Sequence, residues 1–96
     1  MYVIRNIFKC KPGKAEQVVN KFKAAHALIS DTGIRPRVLV DHIATFWTVV
    51  VEVEVEEIDS FVKLMHERAS SAEVQAAMSG YMDLVESGYR EIFRVA

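Results

Sequence analysis

The stretch Phe46-Trp47-Thr48-Val49-Val50-Val51-Glu52-Val53-Glu54-Val55 decides the fold. Its β-branched and aromatic residues, and the alternating Val and Glu with which it ends, give it a period of two, which predicts a strand. Trp47, Val49, Val51, Val53 and Val55 then share a face that helices must cover, while Phe46, Thr48, Val50, Glu52 and Glu54 share the other. Immediately upstream, Arg37 to Ile43 reads as a second strand, joined to the first through a short turn at Ala44-Thr45.

Further toward the N-terminus, Tyr2 to Lys9 is again β-branched and aromatic, and Lys11-Pro12-Gly13 ends it with a turn signal. From Lys14 the apolar residues Ala15, Val18, Val19, Phe22, Ala25 and Ile29 recur at three and four, the spacing of an amphipathic helix. That helix is expected to stop at Ser30-Asp31-Thr32-Gly33, where Gly33 can take the left-handed conformation. Downstream of Val55, Glu57 to Ala69 resumes helical period, with Asp59 or Ser60 as its cap. Ser70-Ser71 interrupts the pattern, Glu73 to Glu86 continues it, Ser87-Gly88 closes it, and Tyr89 to Val95 reads as the last strand. The order is βαββαβ in a single domain over residues 1–96. Right-handed crossovers of this split pattern predict a ferredoxin-like α+β fold, its four antiparallel strands in the order 4-1-3-2 with the helices on one face.

The sheet's second face is too apolar for water and too charged for a dry core. Val3, Ile7, Phe46, Val50 and Ile92 would form a large exposed apolar patch, and Arg5, Lys9, Arg90 and Arg94 could pair with Glu52 and Glu54 across strands. The expectation is a homodimer through the sheet faces, which would also protect sheet edges.

Composition narrows the function by exclusion. Twelve Lys+Arg against thirteen Asp+Glu give a net charge of −1 and no field to concentrate nucleic acid. No apolar run approaches the ~20 residues of a membrane helix, and charge within the N-terminal MYVIRNIFK argues against a signal peptide. Cys10 is the only cysteine, so an internal disulfide and a Cys-based zinc cluster are excluded and a reduced, cytoplasmic setting is the expectation. The four glycines are scattered and form no phosphate loop, and Val-Glu-Val-Glu stands where an RNA-recognition domain needs a basic aromatic motif. Neither nucleic acid nor membrane is an expected partner.

The βαββαβ order, the run Phe46 to Glu54, and the tail Val74-Gln75-Ala76-Ala77-Met78-Ser79-Gly80-Tyr81-Met82-Asp83-Leu84-Val85 with its continuation to Val95 resemble small bacterial members of the dimeric α+β barrel superfamily, with NIPSNAP-like proteins nearest and antibiotic biosynthesis monooxygenases related. The resemblance covers nearly the whole chain. It implies a dimeric α/β barrel of two face-to-face sheets, with a pocket between helices and sheet in each subunit. No single reaction follows from it, because the superfamily spans cofactor-free monooxygenases, isomerases, haem-degrading enzymes and members without known activity. The haem-degrading members use an asparagine on the first strand, a tryptophan in the second helical region and a histidine further along it. Asn6 matches the first, but Trp47 is on a strand and residues 74–86 contain no histidine, so no haem, and no other cofactor, is expected.

Candidate chemistry is correspondingly spare. Asn6 falls among apolar neighbours on the helix-facing side of the first strand, where it either orients a ligand or bonds backbone. His66 borders the apolar stripe of the second helix, as a proton carrier at a pocket rim. Trp47 supplies an aromatic wall or core packing, Tyr81 a hydroxyl that needs a partner, and Met78 an adaptable surface. Asn6, Trp47, His66, Met78 and Tyr81 are thus the expected lining of a pocket for a small apolar or aromatic molecule. His26 reads as packing at the edge of the first helix, and His42 is, with His66, a second candidate proton carrier whose role stays open. The histidines are not at metal spacing, so no metal is expected. The sequence singles out no catalytic residue. An enzyme of the cofactor-free monooxygenase or isomerase type, acting on small aromatic or polyketide-like compounds, stands as the alternative to a binding protein.

Overall fold

A computed structural model describes residues 1–96. The chain runs β1 (Tyr2–Cys10), α1 (Ala15–Ala27), a 3-10 turn at Ser30–Thr32, β2 (Arg37–Val40), β3 (Thr48–Val55), α2 (Ile58–Glu67), α3 (Ala72–Ala77), a second 3-10 turn at Tyr81–Leu84, and β4 (Val85–Arg94). All pairings are antiparallel and the strand order is β2-β3-β1-β4. This is the expected 4-1-3-2 order read from the opposite edge, and the fold is the expected ferredoxin-like α+β class.

The alternation in β3 decides where the core lies. Val49, Val51, Val53 and Val55 are all buried, and the helices cover them. Ile4, Val53 and Val55 receive Phe61 of α2, while Cys10 and Val49 receive Ala15 and Val18 of α1. A third cluster joins the helices to each other through Ala25, Ile29, Leu64 and Val74. Burying side chains of this kind contributes about 1.5–3 kcal/mol each. Arg68, at the end of α2, grips Asp31 with both terminal nitrogens at 2.9 Å and also donates to the Leu28 carbonyl. The C-terminal end of α2 is thereby tied to the turn that follows α1.

Several expected boundaries move. Strand β2 ends at Val40, and residues 41–47 form a loop rather than a two-residue turn. Thr48 opens β3 because its N–H is held by Asp41 Oδ1 at 2.9 Å and its hydroxyl by the Thr45 carbonyl at 2.8 Å. Trp47 lies just outside the strand with φ +62, a left-handed conformation that breaks the alternation. Helix α2 starts without a side-chain cap, at Glu57 rather than Asp59 or Ser60. The break at Ser70-Ser71 is real, and Ser71 Oγ caps α3 by accepting from the Val74 N–H.

The largest correction concerns residues 78–88. Helix α3 stops at Ala77, and Gly80 turns the chain with φ +79. The residues Tyr81 and Leu84 keep their inward spacing in a 3-10 turn, which a helical pattern cannot distinguish from an α-helix. Strand β4 then begins at Val85 rather than Tyr89, because Val85 pairs with Cys10 through a bulge and the Leu84 carbonyl accepts from the Lys11 N–H at 2.9 Å. Gly88 is therefore a strand residue facing Phe8 and not a helix terminator.

Register also orders the second face of the sheet. One row crosses all four strands as Glu91–Arg5–Glu52–Arg37, an alternating charge ladder. Within it Glu52 is bonded by Arg5 at 2.8 Å and Arg37 at 2.7 Å. It is only 6% exposed, although the arms of these two arginines, and no layer of the fold, cover it. The next row is wholly apolar: Tyr89–Ile7–Val50–Leu39. Ile92 and Arg90 are not on this face as expected. They oppose Ile4 and Asn6 and so face the helices, and Tyr89 and Phe93 take their place.

Candidate functional site

Between the helices and β1, β3 and β4 lies a cavity of about 540 Å³. The sheet contributes Asn6, Phe8, Val51 and Val53 to its floor. Helix α1 contributes its C-terminal half through Phe22, Ala25 and His26, the segment after it contributes Ile29, and α2 contributes Phe61, Leu64 and Met65. Val74, Gln75, Met78 and Tyr81 close the far wall. Fourteen of its nineteen lining residues are hydrophobic, so a ligand's binding energy would come mainly from apolar burial.

Four rings gather along one side. Phe8 and Phe22 are 5.0 Å apart, Tyr81 meets Phe8 edge-on at 6.5 Å, and His26 stacks on Phe22 at 5.9 Å. Burial pushes the His26 imidazole below its ordinary value of 6.5, so it is neutral at pH 7. Two residues along β1 from Phe8, on the same face, Asn6 Oδ1 accepts from Arg90 Nε at 2.6 Å. The Arg90 guanidinium lies over the Phe61 ring, 5.0 Å from its centre, a cation–π contact. Because β4 is an edge strand and Arg90 is exposed, this pair forms the rim.

Of the five expected lining residues, the structure brings together Asn6, Met78 and Tyr81. Trp47 and His66 lie elsewhere. Trp47 borders a shallow groove with Ala15, Glu16 and Val19, against the N-terminal half of α1, because the left-handed turn before β3 carries it out of the strand's alternation. His66 is exposed on α2. The inward positions of that helix are Phe61, Leu64 and Met65, and His66 instead follows Val62 on the outer side, where Val62 itself is exposed. Arg90 is a cavity residue that the sequence does not single out, since its alternation with Ile92 fixes a common face but not which face. His26 lines the cavity rather than packing at the helix edge as expected, and the spacing Phe22-His26-Ile29 marks one stripe.

Cys10 is buried beside Val18 and Val49, and desolvation pushes its thiol up. It is a core residue without nucleophilic character. No group of His, Cys, Asp and Glu is placed to hold a metal ion, and no helix is long and apolar enough to cross a membrane.

No protein-family model matches the sequence, and no curated protein matches it. Solved structures do match in shape. An uncharacterised NIPSNAP domain protein from Burkholderia xenovorans superposes with a TM-score of 0.82 at 15% identity, over 100% of this chain and 95% of that one. A NIPSNAP family protein from Agrobacterium tumefaciens gives 0.82 at 16% identity, over 99% and 92% of the two chains. A candidate antibiotic biosynthesis monooxygenase from Nitrosomonas europaea gives 0.75 at 16% identity, over 99% and 98%. The chain therefore has the fold common to NIPSNAP and antibiotic biosynthesis monooxygenase-like proteins, as its sequence resemblance implied.

Proposed function

We propose that this protein binds a small apolar or aromatic molecule in the cavity between helices and sheet. The observation that carries the reading is the cavity itself: about 540 Å³, walled by aliphatic and aromatic side chains, with its few polar groups on Asn6, Arg90, His26, Gln75, Tyr81 and Tyr89. NMR of methyl-labelled methionines provides the test, using naphthalene and a neutral three-ring phenolic ketone as probes. Saturable shifts of the Met78 methyl, with Met82 unmoved at its exposed position, support this placement. Absence of saturable binding, or equal shifts at Met82, overturns it.

A second reading, cofactor-free oxygenation or isomerisation of such a compound, is favoured by one observation. His26 is neutral and lines the cavity, the state required of a base that takes a proton from an acidic C–H or O–H. Oxygen uptake with the phenolic ketone in the wild type, abolished in His26→Phe, supports catalysis; binding without turnover leaves a carrier or sensor.

We also propose that the functional unit is a homodimer formed through the sheet faces. The uncharged row Tyr89–Ile7–Val50–Leu39 lies beside Glu52, whose carboxylate is already bonded by Arg5 and Arg37 within one subunit. A second copy laid on that row would bury it without leaving the Glu52 carboxylate unpaired.

A further inference from the structure

We propose that the cavity selects ligands carrying a single carboxylate on an apolar aromatic body, and that Arg90 is the group that recognises the carboxylate. This rests on the binding reading above and names the ligand class for that same site. Arg90 is the only permanently charged side chain among the lining residues, which include no Asp, Glu or Lys. The chain's ion pairs engage Arg5, Arg37 and Arg68, and Arg90 is in none of them. Its positive charge therefore stands at the rim of an apolar cavity without a protein carboxylate to answer it.

The guanidinium is also anchored at two points. Its Nε–H is spent on Asn6 Oδ1 at 2.6 Å, and its central carbon lies over the Phe61 ring, 5.0 Å from the centroid. A guanidinium has five N–H donors, so four remain on the two terminal nitrogens, the edge that matches a carboxylate in a paired, planar geometry. Two contacts, one from β1 and one from α2, restrict rotamers that a free arginine would sample, so less entropy is lost when the anion binds. An apolar body in the cavity would displace water from one side of this edge and strengthen the contact. Elsewhere in the lining, His26, Gln75, Tyr81 and Tyr89 offer hydrogen bonds without a second permanent charge, which fits one anionic group per ligand and not two.

The experiment compares 2-naphthoate with 2-naphthamide, matched in shape and differing in charge, by calorimetry at pH 7 with wild type, Arg90→Gln and Arg90→Lys. A charge-assisted pair at a partly exposed site predicts about tenfold tighter binding of the naphthoate by wild type. The preference should fall to near unity in Arg90→Gln, and Arg90→Lys, which keeps the charge but not the planar edge, should fall between them. Equal affinities in wild type, or a preference that survives in Arg90→Gln, overturn the assignment of Arg90 while leaving the binding reading intact. Failure of both compounds to bind wild type overturns the two together.

Discussion

Asn6 and Arg90 occupy directly opposed positions of β1 and β4, and the side-chain carbonyl of the first holds Nε of the second at 2.6 Å. An uncharged residue of a central strand thus sets the direction of a charge on the edge strand. Asn6→Ala is expected to cost about 1 kcal/mol for the lost hydrogen bond, a fall in melting temperature of roughly 4–8 °C for a domain this small. Thermal unfolding reads the cost and the Arg90 Nε–H resonance reads the orientation; no change in either would show that the bond does not form in solution.

The His26 imidazole titrates below its ordinary 6.5 because it is desolvated. Since the folded state favours the neutral form, its contribution is complete above the unfolded value and is lost as pH falls through the lower folded value. Melting temperature should therefore decline from pH 8 to pH 5, and the decline should shrink in His26→Phe, which keeps the stack on Phe22. An identical decline in the variant would assign the effect to other groups.

Glu52 behaves with the same sign for a different reason. Hydrogen bonds from Arg37 and then Arg5 hold its carboxyl below the ordinary 4.5, so stability present above that pH is lost as acid protonates the folded-state carboxylate. Comparing urea unfolding at pH 7 and pH 3 for wild type and Glu52→Gln should give a smaller pH difference in the variant. Raised salt should weaken the effect only modestly, because the contacts are direct and Glu52 is nearly covered.

Gly88 shows why β4 runs so close to β1. A Cβ there would lie 3.0 Å from the Ile7 carbonyl oxygen and 3.4 Å from the Phe8 ring. Backbone cannot step aside as a side chain can, so Gly88→Ala should destabilise by about 1–3 kcal/mol. Denaturant midpoints test this, and a variant as stable as wild type would mean that the strands separate at negligible cost.

For the sheet-face dimer, Ile7→Glu is the most direct probe, because it sets a charge in the middle of the apolar row between Tyr89 and Val50. Wild type is expected to sediment at about twice 10.9 kDa at micromolar concentration, and the variant at the monomer mass with its fold retained. A monomeric wild type would remove the interface.

The local alternation in β3, the three-and-four spacing of Val18, Phe22, Ala25 and Ile29, and the turn at Gly33 were enough to determine the fold class and strand order, because each reports a period that only one type of element satisfies. Asn6, Met78 and Tyr81 were also legible as cavity residues, being polar or bulky on inward faces. What the sequence left open was decided by contacts between distant segments. Trp47 left its strand because Asp41 and Thr45 close the loop before Thr48, and β4 began four residues early because the end of β1 pairs with Val85 and bonds Leu84. Alternation alone placed Arg90 with Ile92 but could not say which way that face looked; only the register of β4 against β1 set Arg90 opposite Asn6. A one-residue shift there would turn the arginine away from the cavity, which is why the charge at its rim belongs to the tertiary structure and not to any local pattern.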